Sequence, residues 1–128
     1  MPTALAHHGA LYIANLGVFD SGSPAGDEHV YQLTRNRTLK VRASGLEKVP
    51  GLAFRDGSMY ALEMSTAAAG PTPATGTIVR VTANGPQTVV SGLTFPTGMT
   101  VGSDGAFYVS ERGFGFGPGQ GRILRIQP

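Results

Sequence analysis

The sequence predicts an all-β chain built on the β-propeller plan, with about three four-stranded blades of which the last lacks its outer strand. Three observations carry that expectation. First, Tyr12, Tyr60 and Tyr108 recur at a constant spacing of 48 residues, and self-similarity at a period of roughly 40–50 residues marks propeller blades. Second, each tyrosine sits in the same local pattern, an alternating apolar run, a tight turn and a second alternating run. Third, each such hairpin is followed by a further strand-like run: Val30-Tyr31-Gln32-Leu33, Ile78-Val79-Arg80-Val81 and Ile123-Leu124-Arg125-Ile126. A fourth run ends in Ser-Gly-Leu in two copies, at Leu46 and Leu93, and the third copy stops at Pro128 without one. An ordinary meander with accidental similarity is the competing reading, and the in-register Tyr, Pro and turn positions argue against it.

The whole chain reads as one partial domain, 1–128, with blades at 2–49, 50–95 and 96–128. The hairpin at 96–110 shows the logic best. Met99 and Val101 alternate with Gly98, Thr100 and Gly102; Ser103-Asp104-Gly105 supplies turn chemistry; Phe107 and Val109 alternate with Ala106, Tyr108 and Ser110. In blade one, 2–6 aligns with 50–54 of blade two, the small Thr3, Ala4 and Ala6 suit an innermost strand near a crowded axis, and 10–16 forms the second strand. Asn84-Gly85 is a strong hairpin signal before the fourth strand of blade two. The repeated tyrosines are expected in equivalent, largely buried sites between blades.

Long Gly/Pro-rich stretches at 17–27, 66–76 and 112–121 separate strands two and three of each blade. In the second, Gly70, Pro71 and Pro73 stop the helix that three alanines would start. Strands alternate in direction, so these loops and the links between blades emerge on one face of the ring, and the short turns on the other. Insertions confined to one face of a repeat protein mark its binding face.

Composition narrows the function. The chain has 128 residues, a net charge of +2 and no cysteine, which excludes disulfides, thiol nucleophiles and cysteine metal sites. No apolar run is long enough for a membrane span, and Met1 is followed at once by the first strand, so no signal peptide is visible. The basic residues Arg35, Arg37, Lys40 and Arg42 cluster in a turn and outer strand and read as a solvated rim. Without Trp or aromatics stacked along a basic face, nucleic acid is not the expected partner.

The run Pro96-Thr97-Gly98-Met99-Thr100-Val101-Gly102-Ser103-Asp104-Gly105-Ala106-Phe107-Tyr108-Val109-Ser110, followed by Arg112-Gly113-Phe114-Gly115 and Ile123-Leu124-Arg125-Ile126, resembles the last blade of the ScyD/ScyE family of bacterial propellers. The link Gly92-Leu93-Thr94-Phe95-Pro96-Thr97-Gly98 is similar to NHL-type repeats. The resemblance covers all three repeats. It implies half of a six-bladed ring, the C-terminal half, from a family that is often exported and has no established activity.

Candidate site residues lie on the long-loop face: Asn15, Phe19, Asp20, Glu63, Glu111, Arg112, Phe114 and Phe116. Asn15, Glu63 and Glu111 each stand three residues after a repeated tyrosine. Regucalcin-like lactonase propellers bind a divalent cation there through oxygens from different blades, and hard cations favour such ligands. The alternative is structural, each side chain bonding backbone N–H groups of its own loop or the adjacent blade. Phe114 and Phe116 either fold back over the ring or form an apolar contact surface. His7 and His8, neighbours in a turn on the opposite face, are poor joint ligands, and Gly-x-Ser-x-Gly does not occur.

These residues favour a binding module over a catalyst, with a metal-dependent, lactonase-like hydrolase as the alternative. The expected partners are an unidentified small molecule or protein on the loop face, and either the missing propeller half or a second copy of the chain (a homodimer) at the ends of the arc. An open three-blade arc leaves its end faces bare, so a lone monomer is not expected to persist.

Overall fold

The computed structural model describes residues 1–17 and 26–128, so Phe19 and Asp20 lie outside the described residues. The described residues form eleven strands and no helix: β1 Pro2–His7, β2 Leu11–Asn15, β3 Glu28–Leu33, β4 Leu39–Leu46, β5 Gly51–Arg55, β6 Ser58–Glu63, β7 Gly76–Thr82, β8 Gly85–Leu93, β9 Gly98–Val101, β10 Phe107–Glu111 and β11 Arg122–Ile126. They make three antiparallel up-and-down sheets, β1-β2-β3-β4, β5-β6-β7-β8 and β9-β10-β11. β1 lies against β5, β5 against β9 and β4 against β8, so the sheets stack face to face with like edges together.

Period-two alternation sorts each strand's side chains onto two faces, and both faces of the middle sheet are apolar. Between the first and second sheets, Ala14, Val30 and Leu46 meet Leu52, Met59, Ala61 and Val79. Between the second and third, Leu62, Ile78 and Leu93 meet Phe107 and Val109. Phe107 and Val109 are fully enclosed. Core therefore exists only where two sheets meet, because a single sheet cannot bury its own flat faces.

The tyrosines follow the same plan. Tyr12 packs on Phe54 of the next sheet, with ring centroids 5.1 Å apart, and Tyr60 packs edge-on against Phe107 at 4.9 Å. Tyr108 has no following sheet, and its hydroxyl donates to Asp104 at 2.9 Å instead. All three are half-buried rather than largely buried, which corrects the expectation from sequence.

The first-strand alignment also needs correction. Tyr12 pairs with Ala6 and Tyr60 with Ala53, and Ala4, not Thr3, takes the place of Gly51. A register shift between Pro2 and Ala4 inserts one residue into β1. The turn after β1 is one residue shorter to match: His7 pairs directly with Leu11, whereas Phe54 pairs with Met59. The two changes cancel, which is why the 48-residue spacing survives a local mismatch.

The short turns differ from one another. Asp56 and Gly57 both have positive φ (49° and 78°), the pattern of a type I′ hairpin whose twist matches the strands it joins. The third turn is wider. Gly102 N–H donates to the Ala106 carbonyl at 2.9 Å, Gly105 takes φ 78°, and Asp104 Oδ1 accepts the Ala106 N–H at 3.1 Å. The same register irregularity recurs where β3 meets β4 and β7 meets β8, just before the Ser-Gly-Leu ends. Those bulges turn Leu46 and Leu93 inward, where both are buried.

Candidate functional site

Each strand-two end and each link between sheets comes to the same face as the long loops. Glu63, the last residue of β6, is buried, and both carboxylate oxygens are engaged. Oε1 accepts the Glu47 N–H at 2.9 Å and Oε2 accepts the Thr77 hydroxyl at 2.7 Å. Glu47 directly follows Leu46 at the end of the first sheet, so Glu63 of the second sheet holds the link that leads into it. Glu111, also buried, repeats the device: Oε2 accepts the Thr94 N–H at 2.9 Å, and Thr94 directly follows Leu93. Its other oxygen pairs with the Arg122 guanidinium from β11. Backbone bonds reinforce both junctions, from Met64 N–H to the Lys48 carbonyl and from Arg112 N–H to the Thr94 carbonyl, each at 2.9 Å. Asn15 stands at the same position in the first sheet; its carbonyl accepts the Val49 N–H at 3.0 Å.

The link residues carry a repeated backbone feature that the sequence did not reveal. Lys48 and Phe95, each two residues beyond the Gly-Leu, have φ 43° and 45°, the left-handed region that a branched or bulky side chain seldom occupies. Neither is Gly or Asn, so no residue-type signal announces them.

Around Glu63 the first junction is strongly polar. Glu28 and Lys48 are buried, and the Lys48 ammonium stands 3.6 Å from the Glu47 carboxylate. Burial pushes the Glu63 carboxyl above its ordinary value. The Thr77 hydroxyl and the Glu47 N–H pull it back, and the Glu47 and Glu28 charges push it further up. Among the described residues, no three histidine, aspartate or glutamate side chains are placed to hold a metal ion together. With the oxygens of Glu63 and Glu111 occupied by protein donors, the donor set as arranged does not fit a divalent cation.

The second junction is aromatic. Phe114 packs tilted on Phe95 with centroids 4.5 Å apart, Phe116 meets Phe95 edge-on at 6.0 Å, and the Arg112 guanidinium lies 5.1 Å from the centre of the Phe116 ring. Phe114 and Phe116 remain 42% and 38% exposed, so they fold back on the link and still present ring surface to solvent. Arg112 Nε is enclosed without a hydrogen-bond partner. Phe95, the ring that organises the group, was not singled out from sequence; its place two residues past Gly92-Leu93 is the only available clue.

Of the other residues weighed from sequence, His8 stacks on Phe54 at 4.6 Å on the opposite face. The Arg35, Arg37, Lys40 and Arg42 cluster is exposed. A shallow cavity of about 360 Å³ lies at the outer rim between β4 and the β7–β8 turn, lined by Arg42, Ala43, Val81 and Pro86, away from the loop face.

No family model matches the chain, and no curated protein sequence matches it. Among solved structures it is similar to a protein provisionally described as a gluconolactonase, with a TM-score of 0.61 and 17% sequence identity over 99% of this chain. The chain spans 44% of that structure's length. At this identity the likeness shows the fold alone: antiparallel, all-β and of propeller type.

Proposed function

We propose that the chain is a propeller arc of three blades, half of a six-bladed ring, that works as a binding module through its long-loop face. The observation that carries this is the Phe95–Phe114–Phe116 group with Arg112 against it, presented half-exposed from a loop rich in glycine. Aromatic rings of this kind offer flat apolar contact, and a guanidinium beside them adds affinity for an anionic or hydrogen-bond-accepting group. A ring-bearing ligand with such a group fits both. The carboxylates support the same reading, since Glu63 and Glu111 are used to tie one sheet to the next. The motifs at 92–98 and 96–126 support membership of the ScyD/ScyE family.

The test uses 2-naphthoate as the probe, with binding sites mapped by backbone amide chemical shifts. The expected result is saturable shifts centred on residues 95 and 111–117, abolished in a Phe114→Ala/Phe116→Ala double variant that keeps its β circular dichroism. Shifts scattered elsewhere, or unchanged in the double variant, would overturn the assignment.

A second reading, a metal-dependent lactonase-like hydrolase, is favoured by the fold shared with the gluconolactonase-described structure and by the position of Glu63 and Glu111 on the loop face. It requires the latch carboxylates to exchange protein donors for a cation. Titration calorimetry with calcium and manganese decides: one ion per chain, lost in Glu63→Ala, supports this reading, and no heat of binding removes it.

A further inference from the structure

We propose that the outer rim between the first and second sheets docks an extended acidic segment of a partner protein, with its carboxylates on Lys40 and Arg42 and an apolar side chain in the cleft beside them. β4 forms one wall of this cleft and the β7–β8 turn the other, so both walls belong to sheets within the chain. Val41, Ala43, Leu46, Val81 and Pro86 make the lining apolar, and Arg42 stands among them.

The charges on this rim break the repeat. Gln32 pairs with Lys40 as Arg80 pairs with Gln87. Val30 pairs with Ala43 and Tyr31 with Val41, which leaves Arg42 as the extra residue of a bulge. Ile78 pairs with Val90 and Val79 with Thr88, which leaves Val89 in the same place. Lys40 and Arg42 therefore stand where the second sheet has Gln87 and Val89, and a role in holding the sheet would be common to both copies. Arg35 and Arg37 extend the cluster into the adjoining turn, whereas Ala83-Asn84 in the second sheet carries no charge. The other basic side chains all have partners. Lys48 pairs with Glu47, Arg55 with Asp56, Arg122 with Glu111 and Arg125 with Asp104; Arg80 donates to Ser58, and Arg112 lies against Phe116. Among the described residues, Arg35, Arg37, Lys40 and Arg42 enter no ion pair, and all are exposed. No acidic residue lies between positions 34 and 46, and the facing run 81–93 is uncharged. The rim is thus a field of one sign beside an apolar floor, which selects a partner that is both anionic and apolar.

The backbone favours a polypeptide. β4 is the edge strand of its sheet. Thr34 N–H donates to the Thr38 carbonyl, so the alternation of an antiparallel ladder turns the N–H and C=O groups of Leu39 and Val41 away from β3. A free edge of this kind takes an extended chain by main-chain hydrogen bonds. The second sheet is closed at the matching point: Val81 pairs with Pro86 as Leu33 pairs with Leu39, and proline has no N–H to offer. A strand laid on β4 sends alternate side chains to the side of Lys40 and Arg42, where carboxylates meet them, and the next on that side reaches the cleft. No aromatic ring lines the cleft, so it gives nucleic-acid bases nothing on which to stack.

Fluorescence anisotropy on the full chain tests this with a labelled probe peptide, Glu-Thr-Glu-Thr-Leu-Thr-Glu-Thr-Glu, which reads the same in either strand direction. Saturable binding is expected, with amide chemical shifts centred on residues 39–46 and 81–86. The Lys40→Gln/Arg42→Val double variant installs the residue types of the second sheet and is expected to bind about tenfold more weakly, with its β circular dichroism intact. Replacing the probe's leucine by serine is expected to weaken binding as well. An absence of saturable binding, shifts elsewhere, or equal affinity in the double variant would overturn the proposal. So would tighter binding at the same residues by an oligothymidylate of equal length or by phosphatidylserine vesicles, which would make the rim a site for nucleic acid or membrane. Naphthoate mapping on the loop face reports separately on the binding-module reading, so either idea can fail without the other.

Discussion

At the scale of single residues, Glu63 connects chemistry to stability. Its carboxyl lies above the ordinary range chiefly because burial disfavours the charged form, with the Thr77 hydroxyl and the Glu47 N–H opposing. A raised value means that the folded state holds the proton more tightly than the unfolded chain does. The folded state is therefore favoured by acid, and this contribution fades as pH rises from the ordinary carboxylate value of 4.5 through the raised one. Urea midpoints measured from about pH 4.5 to pH 7.5 are expected to fall less steeply in Glu63→Gln than in wild type, while the midpoint of Glu63→Ala drops at every pH because the part-buried Glu47 N–H and the buried Thr77 hydroxyl lose their acceptor, a loss of about 1–3 kcal/mol. A parallel pH profile in Glu63→Gln would show that another group carries the dependence. Asp104 is the exposed counterexample. The Ala106 N–H first, then the Tyr108 hydroxyl and Arg125, hold its carboxyl below the ordinary value. Its contribution is present above that value and is lost in acid, the opposite direction from Glu63.

At the scale of elements, the links matter more than the strands. The alternating runs made every strand legible, but a link must turn sharply, satisfy its own N–H groups and deliver the chain to the next sheet. The structure does this with a buried glutamate, a left-handed residue and a tight approach at Gly76. A Cβ on Gly76 would stand 2.8 Å from the Pro96 ring and 3.0 Å from Leu93, and a proline ring has no rotamer by which to retreat. Gly76→Ala is expected to cost about 1–3 kcal/mol in chemical denaturation, with the amide shifts concentrated at residues 93–97. A neutral outcome would mean that the link is looser than its packing. The long loops were recognisable from Gly and Pro content, yet the pairing of Phe114 with Phe95 was not, because one lies in that sheet's long loop and the other in the link into the third sheet, and only the fold brings them together.

At the scale of the whole molecule, stability resides in the junctions. Phe107 is fully buried, takes the edge of Tyr60 and has the Arg55 guanidinium 5.5 Å from its ring centre. Phe107→Ala is expected to cost about 3–5 kcal/mol, and hydrogen exchange should then show β9–β11 opening before the first two sheets. Uniform acceleration across all three sheets would mean that the stack melts as one unit. The sequence by itself determined the all-β class, the eleven strands, the sheet order and the face on which the loops lie, because alternation, turn residues and repeat spacing are local and survive in any register-preserving fold. It also placed Asn15, Glu63 and Glu111 at one recurring position. Only the tertiary structure decided what the glutamates do there, that the repeat is offset within β1, and that Phe95 gathers Phe114 and Phe116. Those outcomes depend on the contact of one sheet with the next, where a donor from one repeat meets an acceptor from another, and a period read along the chain carries no information about that geometry.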